Sequence, residues 1–331
     1  MKLSTMQAVV ATVNEQWESP LADTLLAAWA HDAEPAKYWR ASANFIFFFK
    51  QAGRDHVLRF NHASERTRDT IQAEIDYVNY LAAAGITVAK PIRSLAGHHV
   101  ESSSTAHGLF HVVAFEALPG ELLEFDTLTP EQFMRWGQAL GKLHQAAQSY
   151  THAGRPTWAD HVTMVAETLS ADEHAAHQAL AEVDEQLKQC PIKPQNFGLI
   201  HYDFELDNLV WQAEQPGLID FDDSAWYWFA ADIAFALRDL FGDSAAKVDL
   251  QHPTFKQFIE GYRSVRPIDQ AELDQLPRLM RLHNLISFAK LHRTLSVGPL
   301  VDEPAWLVAL RQKLLAKMQF YRAEFSQPIQ S

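Results

Sequence analysis

Apolar residues recur at helical spacing from Leu3 to about Ala30, with Leu21, Leu25, Leu26 and Trp29 in phase, and predict one or two amphipathic helices closed by Pro35. The stretch 43–50, Ala-Asn-Phe-Ile-Phe-Phe-Phe-Lys, is instead β-rich, and a turn over Gln51–Asp55 leads into a second β-rich run, His56–Phe60. Two such runs around a Gly-containing turn signal a hairpin. A helical pattern returns from Glu65 to Ala84, carried by Ile71, Ile75, Val78 and Leu81, and Gly85 stops it at a C′ position. Val88–Leu95 and Leu109–Phe115 then read as further strands. A small antiparallel sheet with one long helix is the expected result.

Past Pro119-Gly120 the character changes. Pro130–Ser149 and Val162–Gln189 read as helices, and strands are confined to the short apolar runs Gly198–Ile200, Leu209–Gln212 and Gly217–Ile219. From Trp226 onward helices return, including Gln270–Leu295 and Pro304–Phe325, and no internal repeat or low-complexity tract interrupts them. The expected division is an N-terminal unit, residues 1–118, and a helical C-terminal unit, residues 119–331.

Composition narrows the function classes. The 331 residues are 47% apolar and 21% charged, enough chain for two lobes rather than one compact core. A formal charge of −13 opposes a phosphate-backbone partner, which needs a basic face, so no nucleic-acid partner is expected. No window approaches about eighteen uncharged apolar residues, and no basic patch with an apolar run and cleavage site opens the chain, so neither membrane insertion nor export is expected. Cys190 is the single cysteine and cannot form an internal disulfide, which fits a cytoplasmic location. The acid excess suits a cationic or amine-bearing substrate, although surface acid also serves solubility alone.

The chemistry is concentrated in Leu199-Ile-His-Tyr-Asp-Phe-Glu-Leu-Asp-Asn-Leu-Val-Trp211 and Gly217-Leu-Ile-Asp-Phe-Asp222, which match H-x-D-x-x-x-x-N followed by an apolar pair and D-F-x. Chance matches to the first pattern should number on the order of a few hundredths in such a chain, so coincidence explains it poorly. Phosphoryl transfer from ATP leaves a protein little covalent work; it needs a positioned nucleophile and phosphate charge neutralised by Mg²⁺. Asp203 suits the acceptor of a hydrogen bond from the attacking hydroxyl. Asn208 suits the metal through its amide oxygen, and Asp220 suits it as a hard carboxylate. His201 belongs to the same catalytic loop and holds its shape rather than transferring a proton. The competing reading makes Asp203 and Asn208 hairpin turn residues and Asp220 a helix cap.

These motifs resemble the aminoglycoside phosphotransferase and choline kinase-like small-molecule kinases, a group that also includes homoserine and fructosamine kinases, over nearly the whole chain from about Tyr38. The resemblance implies an α+β protein-kinase-like bilobal fold, with a small antiparallel-sheet N-lobe, a hinge, a large helical C-lobe, and ATP between them. It implies that Asp220 takes the place of the D-F-G acid. Asp222 stands where that motif has glycine, a departure that opposes a protein kinase with a movable activation segment.

The nucleotide side departs further. Val57-Leu-Arg-Phe60 puts Arg59 where a strand lysine is usual, and Glu74 is the nearest helix carboxylate to pair with it. A surface ion pair without ligand is the competing reading. No G-x-G-x-x-G precedes that strand; Arg40-Ala-Ser-Ala-Asn-Phe45 takes its place, and Ser42 and Asn44 are the expected phosphate donors of a short flap, with a plain turn as the alternative. The resemblance places the adenine-binding hinge at Phe115–Leu118, where backbone groups of Glu116 and Leu118 would meet the base.

After Asp220, the segment Phe221-Asp-Asp-Ser-Ala-Trp-Tyr-Trp-Phe sets Asp222 and Asp223 beside Trp226 and Trp228, a combination that an ammonium-bearing substrate would favour. Simple packing of the helical lobe explains the aromatics equally well. Asp232 resembles the family's buried acid that braces the catalytic loop, or else caps a helix. His144 reads as a packing or hydrogen-bonding histidine, and His283, Ser287 and Lys290 share one helix face. The expected acceptor is a small-molecule hydroxyl, choline-, ethanolamine- or homoserine-like first and aminoglycoside or sugar second. A catalytically silent nucleotide-binding regulator and a protein kinase are the rival readings, and a homodimer is left open.

Overall fold

A computed structural model describes residues 1–299 and 302–327; residues 300, 301 and 328–331 of the expected C-terminal unit lie outside the described residues. The helical pattern at the N-terminus forms α1 (Leu3–Val10) and α2 (Pro20–Leu26), the latter capped by the Ser19 hydroxyl with Pro20 at its first position. Strands β1 (Lys37–Ala41), β2 (Phe45–Gln51) and β3 (Arg54–His62) follow, with β2 and β3 joined through Ala52 and Gly53, both at positive φ as a two-residue hairpin turn requires.

Alternation explains what each face of this sheet does. Phe45, Phe47, Leu58 and Phe60 bury themselves against Val9, Leu25 and Trp29 of the N-terminal segment. The intervening Ile46, Phe48, Val57 and Arg59 point to the opposite face and line a cleft. Helix α3 (Arg68–Ala83) packs Ile71 and Ile75 on Val113 and Phe115, and Gly85 ends it at φ +84°. The sheet closes with β4 (Pro91–Ile92), β5 (Glu101–Thr105) and β6 (Gly108–Glu116), all neighbours antiparallel in the order β1-β2-β3-β6-β4, with β5 on β6.

The remainder is helical. Helices α4 (Pro130–Ala147), α5 (Trp158–Thr168) and α6 (His174–Lys188) precede a cluster of short strands, β7 (Phe197–Ile200), β8 (Leu209–Gln212), β9 (Gln215–Leu218) and β10 (Ala225–Trp228). Then come α7 (Phe229–Ala236), α8 (Pro253–Arg263), α9 (Gln270–Leu273), α10 (Leu276–Leu295) and α11 (Ala305–Phe325). The architecture is the expected bilobal α+β one. Among the described residues no helix is long and apolar enough to cross a membrane.

Five local expectations are corrected. The strand expected over Val88–Leu95 contracts to Pro91–Ile92, with Val88 making only an isolated parallel bridge to Leu218. Polar β5 was not read as a strand, because Glu-Ser-Ser-Ser-Thr carries no apolar alternation; its ladder with β6 holds it. The helix expected over Val162–Gln189 breaks at Leu169–Glu173, and the one expected from Gln270 breaks between Leu273 and Leu276. Trp226 lies in β10, paired with Leu199 of β7, before the helices resume.

Candidate active site

The loop between β7 and β8 carries the H-x-D-x-x-x-x-N residues, and its backbone is held from beneath by one carboxylate. Asp232, in the first turn of α7 and fully buried, accepts the His201 N–H at 2.9 Å, the Tyr202 N–H at 2.8 Å and the His144 ring at 3.1 Å. Tyr202 sits at φ +75°, a conformation costly for a non-glycine residue, and the two hydrogen bonds oppose that cost. Burial pushes His144 down to about 4, so its neutral ring donates through Nε2 to Asp232 and accepts the Tyr262 hydroxyl at Nδ1, 2.9 Å away. His201 places Nε2 3.0 Å from the Ile219 carbonyl and packs its ring on Phe221, which ties the loop to the two residues that flank Asp220.

Asn208 donates to both the backbone carbonyl of Asp203, at 2.8 Å, and its carboxylate, at 3.0 Å. The other Asp203 oxygen accepts Arg238 Nη1 at 3.0 Å. The amide oxygen of Asn208 is buried and has no hydrogen-bond partner, an arrangement that normally costs free energy. The β8–β9 hairpin sets the next acid beside it, since the Ile219 N–H donates to the Asn208 carbonyl at 3.1 Å. Asp220 follows at φ +61°. Its carboxyl is pushed well above the ordinary range by burial and by the charges of Asp222, Glu74 and Asp203, against the pull of Arg59. An orphaned amide oxygen and a carboxylate surrounded by acids fit a hard divalent cation that takes its other oxygens from phosphate and water. Among the described residues no group of three His, Cys, Asp or Glu side chains forms a metal-binding cluster.

Beside Asp220 opens a cleft of about 500 Å³ between the sheet and the helical lobe. Ile46, Val57, Ala89 and Phe115 form one wall, and Val210, Leu218 and Ile219 the other. Arg59 is buried and grips Glu74 with both terminal nitrogens, at 2.8 and 2.6 Å, while Nη1 also reaches Asp220 at 3.3 Å. The pair is therefore a bidentate interior one and not a surface one. Glu116 and Leu118 line the cleft, although the Glu116 N–H is already donated to the Lys90 carbonyl. The flap is corrected more strongly. Asn44 is buried, donates to Asp222 at 2.9 Å and accepts from Asn61, so its side chain bridges the lobes and is not a free phosphate donor. Ser42 is exposed and closes a tight turn onto the Asn44 carbonyl.

The Phosphotransferase enzyme family model matches residues 16–268 of this chain. The chain belongs to that family. A relative from Bacillus subtilis (strain 168), an amicoumacin kinase, is 23% identical over 86% of this chain and 87% of its own. Among solved structures, an amicoumacin kinase in complex with AMP-PNP, Ca2+ and Ami is similar at TM-score 0.78, 23% identity, and 98% and 97% coverage of the two chains. A microcompartment-associated aminopropanol kinase is similar at TM-score 0.69, 22% identity, and 92% and 96% coverage.

On the acceptor side of this phosphotransferase, the two acids after Asp220 are already neutralised. Asp222 faces Arg66 at 3.3 Å, and Asp223 binds Arg66 at 2.5 Å and Lys290 at 2.8 Å. That corrects the expectation of two free carboxylates for an ammonium group. Trp228 is buried, packs on Phe197 and Trp158 and donates to the Pro191 carbonyl, at a second cavity lined by Cys190 and Arg266. Trp226 stacks on Tyr150. Both aromatics pack the helical lobe, as amphipathic rings in a core do. Of the shared α10 face, Lys290 reaches Asp223, while burial holds His283 well below the usual imidazole range.

Sequence reasoning missed the arginines that organise these acids. Arg238 binds Asp203 and Glu205, and buried Arg155 donates to the Asp222 and Ser224 carbonyls that follow Asp220. Glu205, also missed, is pushed up to about 7 by burial and by Asp203, with Asp207 and Asp239 adding to it and only Arg238 opposing.

Proposed function

We propose that this chain transfers the γ-phosphate of Mg·ATP to a hydroxyl of a small, amine-bearing molecule. The observation that carries the reading is the Asp203–Asn208 pair: one amide N–H₂ fixes the Asp203 carboxylate while the same amide's oxygen stays buried and unsatisfied, and the Asn208 backbone is tied to Ile219, the residue before Asp220. Asp203, oriented by Asn208 and Arg238, accepts the acceptor hydroxyl's proton and aims its oxygen at phosphorus. Asn208 and Asp220 hold the magnesium, which when bound neutralises charge on the β- and γ-phosphates. His201, Asp232 and His144 keep the loop in place without touching the reacting atoms. The apolar walls receive the base near Glu116 and Leu118, and Arg59, locked on Glu74, steadies Asp220 at the phosphate end through Nη1.

The amine is favoured by the local charge. Asp203 and Glu205 share one guanidinium, Arg238, and with burial and the charge of Asp203 together raising Glu205, a cationic acceptor beside the pair offsets acid that Arg238 alone does not balance. The names of the similar amicoumacin and aminopropanol kinases agree with an amine-bearing acceptor.

A coupled ADP-release assay across amino alcohols, aminoglycosides and neutral sugars tests this. Turnover is expected with hydroxylated amines, and Asp203→Ala should lower kcat by about a thousandfold. Turnover with neutral sugars alone would overturn the amine, and an unchanged kcat in Asp203→Ala would overturn the base.

A further inference from the structure

The guanidinium of Arg59 is spent. Both terminal nitrogens serve Glu74, one also serves Asp220, Nε is buried without a partner, and the group lies 5.1 Å over the Phe115 ring. Little of it is left for a triphosphate. A second arginine stands at the same carboxylate: Arg40 Nη2 lies 3.6 Å from the other oxygen of Asp220, and its side chain is 39% exposed.

The backbone has been adjusted to put it there. Strand alternation allows only one of two consecutive side chains to face the cleft, yet Trp39 and Arg40 both line it. The register of β1 against β2 slips between Tyr38, paired with Phe47, and Arg40, paired with Ile46, leaving Trp39 as the extra residue of a bulge. A bulge re-aims the next side chain, and bulges collect beside active sites for that reason.

We propose that Arg40 is the terminal-phosphate clamp of this enzyme, taking the role that the committed Arg59 and the bonded Asn44 leave open. The proposal rests on the nucleotide reading above. In the nucleotide complex the Arg40 fork turns from Asp220 to the γ-phosphate oxygens, so it distinguishes a triphosphate from a diphosphate. It is a binding residue for the transferred group and does not enter proton transfer.

Calorimetric titration of Mg·AMP-PNP and Mg·ADP into the wild-type protein, Arg40→Gln and Arg40→Lys separates the possibilities. Arg40→Gln should weaken Mg·AMP-PNP by about tenfold, the scale of one lost charge-assisted contact, and leave Mg·ADP within about twofold. Arg40→Lys, which keeps the charge and loses the fork, should fall between wild type and Arg40→Gln for Mg·AMP-PNP. Equal weakening of both nucleotides, or of neither, by Arg40→Gln overturns the clamp while leaving the kinase reading intact. A wild-type protein that binds neither nucleotide overturns both.

Discussion

Asp232 does its work at a distance of one residue layer from the chemistry. It accepts two backbone N–H groups and one ring N–H in a site without water access, so removing it orphans three donors at once. Asp232→Ala is expected to destabilise the protein by about 3 kcal/mol or more. A urea midpoint that falls with an unchanged slope reports this, and a midpoint equal to wild type contradicts it. At this scale, legibility depended on sequence distance. His201, Asp203, Asn208 and Asp220 flank the short β8–β9 hairpin on either side, so their spacing forms a local pattern that can be read in sequence. Arg238, Arg155, Arg66 and Arg40 come from four other segments, and an isolated arginine carries no local pattern that names its carboxylate.

Among the elements, α4 and α8 pack backbone against backbone at two glycines. A Cβ at Gly137 would lie 1.9 Å from the Phe258 carbonyl oxygen, and one at Gly261 would lie 2.0 Å from that of Met134. The contact brings His144 to Tyr262 and hence sets the height of Asp232 under the catalytic loop. Gly137→Ala forces the helices apart and should cost about 2–3 kcal/mol, read as a lower thermal midpoint; a neutral effect would show that the crossing is softer than its geometry. The hairpin β2–β3, helix α3 and the helices of the C-lobe were readable because each has its own periodicity and stop signals. Strand β5 was not, because its stability comes from β6 and not from its own residues. The break between α5 and α6 escaped because Ala and Glu run through both helices and through the residues that join them.

At the scale of the whole molecule, the bilobal α+β fold was legible from the switch in character at Pro119-Gly120, whereas the stitching between the lobes was not. Asn44 and Arg66 of the N-terminal part bind Asp222 and Asp223 of the C-terminal part, Arg293 binds Glu65, and Arg59 reaches Asp220. Acids that read as an ammonium site from sequence are thereby paired with Arg66 and Lys290. In the proposed reaction Asp203 serves the acceptor and Asp220 the metal of the nucleotide, two acids that divide the work of one site. Calorimetric titration of Mg·AMP-PNP into wild type, Asp203→Ala and Asp220→Ala tests this division most directly. Asp203→Ala should bind within about threefold of wild type and Asp220→Ala at least about a hundredfold more weakly. Equal losses in both variants, or full affinity in Asp220→Ala, would contradict it.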